Sequence, residues 1–217
     1  MPHTDEPTAT DAAQTASAAH IANATPATPA APRRRDPEGR RRAILTAATE
    51  IIVEEGAAAL THRAVAKRAS VPLGSTTQYF SSIDDMRECA LQQLADEIDE
   101  AIARLEPFIA TIFERPDPII DELLAYLEDP RTVHADIALM TSGTTDPRLR
   151  ALALRWPERV VDLLSTQVGQ ERAVAIAVFL DGATMHAGLT GTPLGRDELT
   201  RVLQALMTMP VPGSAHT

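Results

Sequence analysis

From Arg40 onward, apolar residues recur at three- and four-residue spacing, a periodicity that predicts helices. Ile44, Leu45, Ala48, Ile51 and Ile52 form the first stripe, which Gly56 ends as a left-handed cap. Thr61 is a good N-cap for a second helix that turns Val65, Ala66 and Ala69 inward. A short third helix is expected over Leu73 to Tyr79. Ser82 then opens a long one, with Asp84 and Asp85 in its first turn and a stripe of Met86, Cys89, Ala90, Leu94, Ile98, Ile102 and Leu105. Asp117-Pro118 and Asp146-Pro147 each set a capping residue before a proline, and Asp129-Pro130 marks another junction. Asp146 to Gln167 reads as a long helix with Pro157 as a kink or break. Gln170 to Leu189 is apolar on nearly all sides, as in a helix buried on several faces. Arg196 to Met209 forms the last helix. No stretch alternates convincingly with period two, so the fold class is all-α.

Composition divides the chain. Residues 1–32 are Ala, Thr and Pro with almost no large apolar side chain, too little burial to offset the entropy of ordering, so they are expected to be a disordered tail. Residues 33–86 and 87–210 are the expected domains, with a short tail at 211–217. The net charge is −10. That total hides an asymmetry: residues 33–80 hold nine Lys/Arg against five acids, and residues 81–217 hold eleven against twenty-two. A basic block fused to an acidic body points to a nucleic-acid contact at one end. One cysteine, Cys89, excludes an internal disulfide and a cysteine-rich zinc site. The opening Met-Pro-His-Thr-Asp-Glu is not a signal peptide. The apolar run Ala173 to Leu180 is interrupted by Asp181, Thr184 and His186 and is too short to span a membrane. A cytoplasmic protein is expected.

A helix-turn-helix needs small residues where its two helices meet and a second helix that offers its outer face to base edges. Ala66 and Ala69 supply the first, Ser70-Val71-Pro72 the turn, and Leu73-Gly74-Ser75-Thr76-Thr77-Gln78-Tyr79 the second, rich in short hydrogen-bonding groups and free of acids. Residues 40–86, and above all Ala-Lys-Arg-Ala-Ser-Val-Pro-Leu-Gly-Ser-Thr-Thr-Gln-Tyr-Phe from Ala66 to Phe80, resemble the DNA-binding domain of the TetR family of repressors. The spacing of Val71, Gly74, Tyr79-Phe80 and a capped long helix is specific because it fixes several positions at once. Beyond Leu91 the resemblance is architectural only.

The resemblance implies roles. Thr61 caps the second helix and touches phosphate, with His62 beside it; Gly74, Ser75, Thr76, Thr77, Gln78 and Tyr79 lie on the recognition helix. Arg40, Arg41 and Arg42 are read as phosphate contacts, whereas Arg33-Arg34-Arg35 stand open between that role and solvated charge. Tyr79 is expected half-exposed and Phe80 buried. Three positions depart from the family pattern. Ser70 stands where glycine is usual, Thr77 replaces a common backbone-contacting tyrosine, and Ile83 replaces a phosphate-binding lysine. The last two weaken nonspecific affinity.

The resemblance also implies a body that dimerises and holds a small-molecule pocket. The helices near 146–167 and 170–190 are the expected interface, where Ala173, Ala177, Gly182, Ala183, Ala187 and Gly188 would allow close packing. Phe108, Phe113, Tyr126, His134, Met140, Trp156, Met185 and His186 are the candidate lining of a mainly apolar pocket. Asp181, inside an apolar helix, must be paired or face a cavity or interface. The expected partners are double-stranded operator DNA, a small-molecule effector and a second copy of the chain, with no cofactor and no metal. Two other readings stand beside this repressor: a constitutive or architectural DNA-binding protein without a ligand, and an all-α enzyme. The six histidines form no HExxH pair, and no GxSxG elbow or P-loop occurs, which ranks the enzyme last.

Overall fold

The computed structural model describes residues 36–211. The tail expected at 1–32, the Arg33-Arg34-Arg35 run and all but the first residue of the tail at 211–217 lie outside them. Among the described residues every regular element is helical. Helix α1 (Pro37–Glu55) starts a turn earlier than the apolar stripe suggests, because the Asp36 carboxylate accepts the Gly39 N–H at 2.8 Å and Pro37 pre-sets the first turn. Gly56 ends it at φ 86°, ψ 158°, a conformation that needs glycine but is not the left-handed helical cap expected. Helices α2 (His62–Arg68) and α3 (Leu73–Tyr79) follow. Ser70, in the turn between them, adopts φ 53°, so serine pays about 1 kcal/mol where glycine would not.

Helix α4 (Ile83–Ala103) is capped reciprocally at its start. The Ser82 hydroxyl accepts the Asp85 N–H at 3.0 Å, and the Asp85 carboxylate accepts the Ser81 N–H at 2.7 Å. The expected domain boundary at 86/87 falls inside α4, so the two regions share this helix. A single turn, α5 (Glu106–Ile109), leads to α6 (Asp117–Glu128), α7 (Pro130–Thr145), α8 (Arg150–Val168), α9 (Gln170–Thr190) and α10 (Arg196–Thr208). Asp146-Pro147 does not open a helix. Asp146 instead closes α7 through its N–H to the Ser142 carbonyl, and its carboxylate accepts the Arg148 N–H at 3.0 Å, a turn that delays α8 to Arg150. Helix α8 runs on through Pro157.

Helix α4 packs against α1 on the head side and against α7 and α8 in the body; α7 also touches α1. The buried core runs continuously from Ile44 and Phe80 through Met86, Leu94 and Ile102 to Leu180 and Leu203. Two glycines permit the tightest crossings. A Cβ on Gly143 would lie 2.4 Å from that of Ala153 in α8, and one on Gly188 would lie 2.3 Å from Ile137 Cδ1 in α7. Gly188 therefore packs inside the protomer rather than at an interface between copies. Ala173, Ala177, Ala183 and Ala187 are buried there too, which leaves Gly182 as the one small residue of that set on the open side. Helix α9 is long and apolar enough to cross a membrane, with a mean hydropathy of 1.4, contrary to the expectation drawn from its shorter run. Its buried face, however, is taken up by α7, α8 and α10.

Candidate nucleic-acid interface and effector cavity

Helices α2 and α3 are held together from inside. Thr76 is fully buried; its hydroxyl donates to the Leu73 carbonyl at 2.8 Å and lies 3.1 Å from His62 Nδ1, tying one helix to the other. Ser75 is buried beside it. These two residues, expected on the reading face, thus point into the head, because a seven-residue helix must spend one side on packing. Gly74, Thr77 and Gln78 remain exposed, and Tyr79 is half-buried. Thr77 donates to the Gly74 carbonyl at 3.2 Å and keeps acceptor capacity outward. Thr61 caps α2 by accepting the Ala64 N–H at 3.1 Å and is itself exposed. Phe80 is buried, as the sequence suggests.

The cations around this face divide by what holds them. Arg68 is engaged by Glu54 at 2.6 Å and Glu55 at 2.9 Å, with Glu50 at 3.9 Å. Arg41 lies over the Phe80 ring, 5.3 Å from its centroid, and donates to Cys89 Sγ at 3.9 Å. Arg40 and Arg42 are exposed and in no ion pair among the described residues. So are Arg63 and Lys67 on α2, which the sequence reading passed over. Their i, i+4 spacing on the helix before the recognition helix was the available signal. Ile83, at the lysine position, is half-buried and packs on the core, so it offers no charge.

In the body, α4, α5, α6, α8, α9 and α10 surround a small cavity of about 50 Å³. Its walls are apolar side chains, among them Ile102, Ile109, Ile120, Leu123, Trp156, Val160, Leu180 and Leu203, with Thr200 and Gln204 the only polar ones. Of the nine candidate pocket residues only Trp156 lines it. Phe108 packs half-buried on the core, Phe113 is 56% exposed, and His134 and His186 are exposed. Met140 and Met185 are half-buried away from the cavity. Aliphatic lining residues follow the same helical spacing as core residues, so periodicity could not separate them.

Tyr126 and Asp181 belong to a second feature behind Trp156. The Tyr126 ring stacks on the indole, centroids 5.6 Å apart, and its hydroxyl donates to Asp136 Oδ2 at 3.0 Å. Asp136 is only 1% exposed. Burial pushes its carboxyl up to about 7; the Tyr126 hydrogen bond opposes this and repulsion from Asp181 adds to it. Burial likewise raises Asp181 to about 6 and Tyr126 well above the usual phenol range. Asp136 stands on the apolar stripe of α7 between Val133 and Leu139, a position that could have flagged it from sequence.

Helices α8 and α9 leave an outer face on which Leu154, Val174 and Val178 are exposed, Val178 by 64%. Near the head, Asp146 is held down to about 2, chiefly by the Arg148 guanidinium. Arg148 in turn feels Asp84 and Glu88 at the start of α4, so the α7–α8 turn sits beside the exit from the recognition helix.

The sequence matches the family described as bacterial regulatory proteins, tetR family, over residues 44–89. A member of the TetR family from Streptomyces coelicolor A3 is 32% identical with a TM-score of 0.69, over 79% of this chain and 99% of that one. The multidrug binding protein EbrR, solved with imidazole, is 30% identical with a TM-score of 0.67, over 82% and 99% of the two chains. Its complex with ethidium aligns at 32% identity and a TM-score of 0.66, over 79% and 99%. No curated protein matches the chain.

Proposed function

Since this chain belongs to the TetR family of bacterial regulatory proteins and is a DNA-binding transcriptional regulator, we propose that it works in the cytoplasm as a dimeric repressor released from its operator by a small, mainly apolar effector. The observation that carries the DNA half is the open face of α3 (Gly74, Thr77, Gln78 and Tyr79), flanked by the cations Arg40, Arg42, Arg63 and Lys67, which are in no ion pair among the described residues. Gln78 reads a base edge, and the exposed hydroxyls and arginines hold phosphates. His62 and Thr76 support that face from behind, and Arg41 reaches phosphate by leaving the Phe80 ring.

The apolar outer face of α8 and α9 supports dimerisation, because Leu154, Val174 and Val178 are left uncovered by the protomer. Two copies related by a twofold axis would present two recognition helices to two half-sites. The apolar cavity supports the effector. At about 50 Å³ it is well below the roughly 300 Å³ of an ordinary ligand site, so binding requires the surrounding helices to part. Helix α4 joins the cavity, at Ile102, to the cap that follows the recognition helix, at Ser82. At 21 residues it is a lever of about 30 Å. An effector that favours the parted form would move the two heads off their half-site spacing. EbrR, which binds several aromatic compounds in the solved structures, supports a small-molecule effector here.

Binding-site selection from random duplexes is the test. A twofold-symmetric motif, bound by two protomers, is the expected result. A motif without symmetry, bound by one protomer, would overturn the dimeric reader.

A further inference from the structure

We propose that DNA binding by this chain takes up protons through His62, whose ring is fixed to Thr76 by Nδ1 and holds a backbone phosphate through a protonated Nε2. The inference rests on the DNA-binding reading and adds to it a dependence on pH. Thr76 is fully buried, and its hydroxyl donates its only proton to the Leu73 carbonyl at 2.8 Å. That leaves the Thr76 oxygen as an acceptor toward His62 Nδ1, 3.1 Å away. Nδ1 must therefore carry the hydrogen, and a neutral ring then has Nε2 bare. The two nitrogens of an imidazole point in nearly opposite directions, so a ring that aims Nδ1 into the head aims Nε2 out of it. His62 is half-exposed, and no hydrogen bond engages its Nε2 among the described residues.

In that state Nε2 can only accept. A DNA backbone offers phosphate oxygens, which are acceptors too, so the neutral ring and a phosphate repel. Moving the hydrogen from Nδ1 to Nε2 would set two acceptors against each other inside the head. One proton taken from water instead turns Nε2 into a charged donor and leaves the bond from Nδ1 to Thr76 as it was. The surroundings leave the phosphate as the counter-charge. Helix α3 brings only Tyr79 as a titratable group. The acids of α1 that reach α2, Glu50, Glu54 and Glu55, are gathered on Arg68 at the other end of that helix. On α2 itself Arg63 and Lys67 are exposed cations, and α1 adds Arg40, Arg41 and Arg42. His62 is in no ion pair among the described residues. An imidazole changes charge between about pH 5 and 8, so DNA affinity rises as pH falls through that range.

The test measures the affinity of the full-length protein for the selected duplex from about pH 6 to about pH 8 at one ionic strength, with His62→Asn and His62→Gln beside the wild type. Asn keeps a donor where Nδ1 stands and Gln one where Nε2 stands, and neither titrates. Between about pH 8 and about pH 6 the wild type should gain about fivefold or more per head relative to either variant. Asp136, near 7, and Asp181, near 6, also titrate in this range, but all three proteins share them, as they share His134 and His186. Calorimetry in two buffers of unlike ionisation heat should count up to about one extra proton taken up per head by the wild type. A gap between wild type and variants that is the same at every pH would mean that His62 only positions α3, and would overturn the proposal. Equal pH profiles in all three proteins would overturn it too. The proton count needs the wild type alone, and zero uptake at about pH 7 overturns the proposal whatever the variants do. Each of these results leaves DNA binding itself standing, whereas no binding to any duplex at any pH would overturn both.

Discussion

The head and the body of this molecule use the same helical material in opposite ways. In the head, the core is closed: Phe80, Ile44, Ile51 and Val65 are buried, and even the Thr76 hydroxyl is satisfied. Its chemistry is all on the outside, on Gln78, Thr77 and exposed arginines. In the body, the outside carries ion pairs, with Arg155 held by Asp96 and Asp99 and Arg131 by Glu97, beside the open apolar face of α8 and α9. Its chemistry is inside, as an incompletely filled cavity and a buried polar cluster around Asp136. A surface that docks on DNA must be rigid before it binds, whereas a site that responds to a ligand must be able to open. On the proposed function, the head is built to be held and the body to be moved.

The comparison breaks first, and hardest, at Phe80. Phe80→Ala should cost about 3–5 kcal/mol in denaturant unfolding, since the side chain is 1% exposed and its ring also carries Arg41. A loss under about 1 kcal/mol would mean that the head is not the close-packed part.

Asp136 gives the next largest effect, in the body. Its carboxyl titrates near 7 in the folded protein, against an ordinary value of 3.8. Between those values the native state keeps a proton that the unfolded chain has released, so this residue costs stability increasingly as pH rises from about 4 to about 7 and levels off above. Asp136→Asn should therefore be more stable than the wild type at neutral pH by a few kcal/mol, with the advantage vanishing toward about pH 4. Parallel stability–pH curves for the two proteins would show that the carboxylate is not held neutral by the fold.

How much of this was legible follows the same division. The helix-turn-helix could be read because local rules fix it: Thr61 and Ser82 as caps, Val71 and Phe80 as core. Where two local rules competed, the reading slipped. Asp146-Pro147 has the form of a helix start, but the Asp146 carboxylate is occupied by Arg148 and its N–H closes α7. Ser75 and Thr76 have the chemistry of DNA contacts, yet helical periodicity turns them inward. The cavity was beyond reach for a different reason. Ile102, Val160 and Leu203 come from three distant helices, and whether such residues meet or leave a gap depends on tertiary packing. Only Trp156, by its size, stood out.

Gln78→Ala sharpens the head's side at a smaller scale. Loss of one bidentate contact should relax selection at a single base pair by about 1–3 kcal/mol, without changing the salt dependence of binding. An unchanged selected motif would remove Gln78 from the reading face. Arg42→Ala should do the reverse, weakening all sequences alike and lowering the salt slope by about one.

The smallest effect tests the body's incompleteness. Val160→Ile adds one methylene toward a cavity of about 50 Å³ and should stabilise the protein by about 1 kcal/mol. A destabilisation would mean that the space is not available to a side chain.

The central claim is that the cavity and the DNA face are coupled. Trp156 is the only tryptophan and lines the cavity, so its emission reports occupancy. The measurement is a titration of the compound that best raises the melting temperature, following tryptophan emission and the anisotropy of a labelled selected duplex together. Emission shifts and duplex release are expected over the same concentration range. A tryptophan signal that saturates while the duplex stays bound would contradict it, and would leave a DNA-binding regulator whose cavity does not speak to its head.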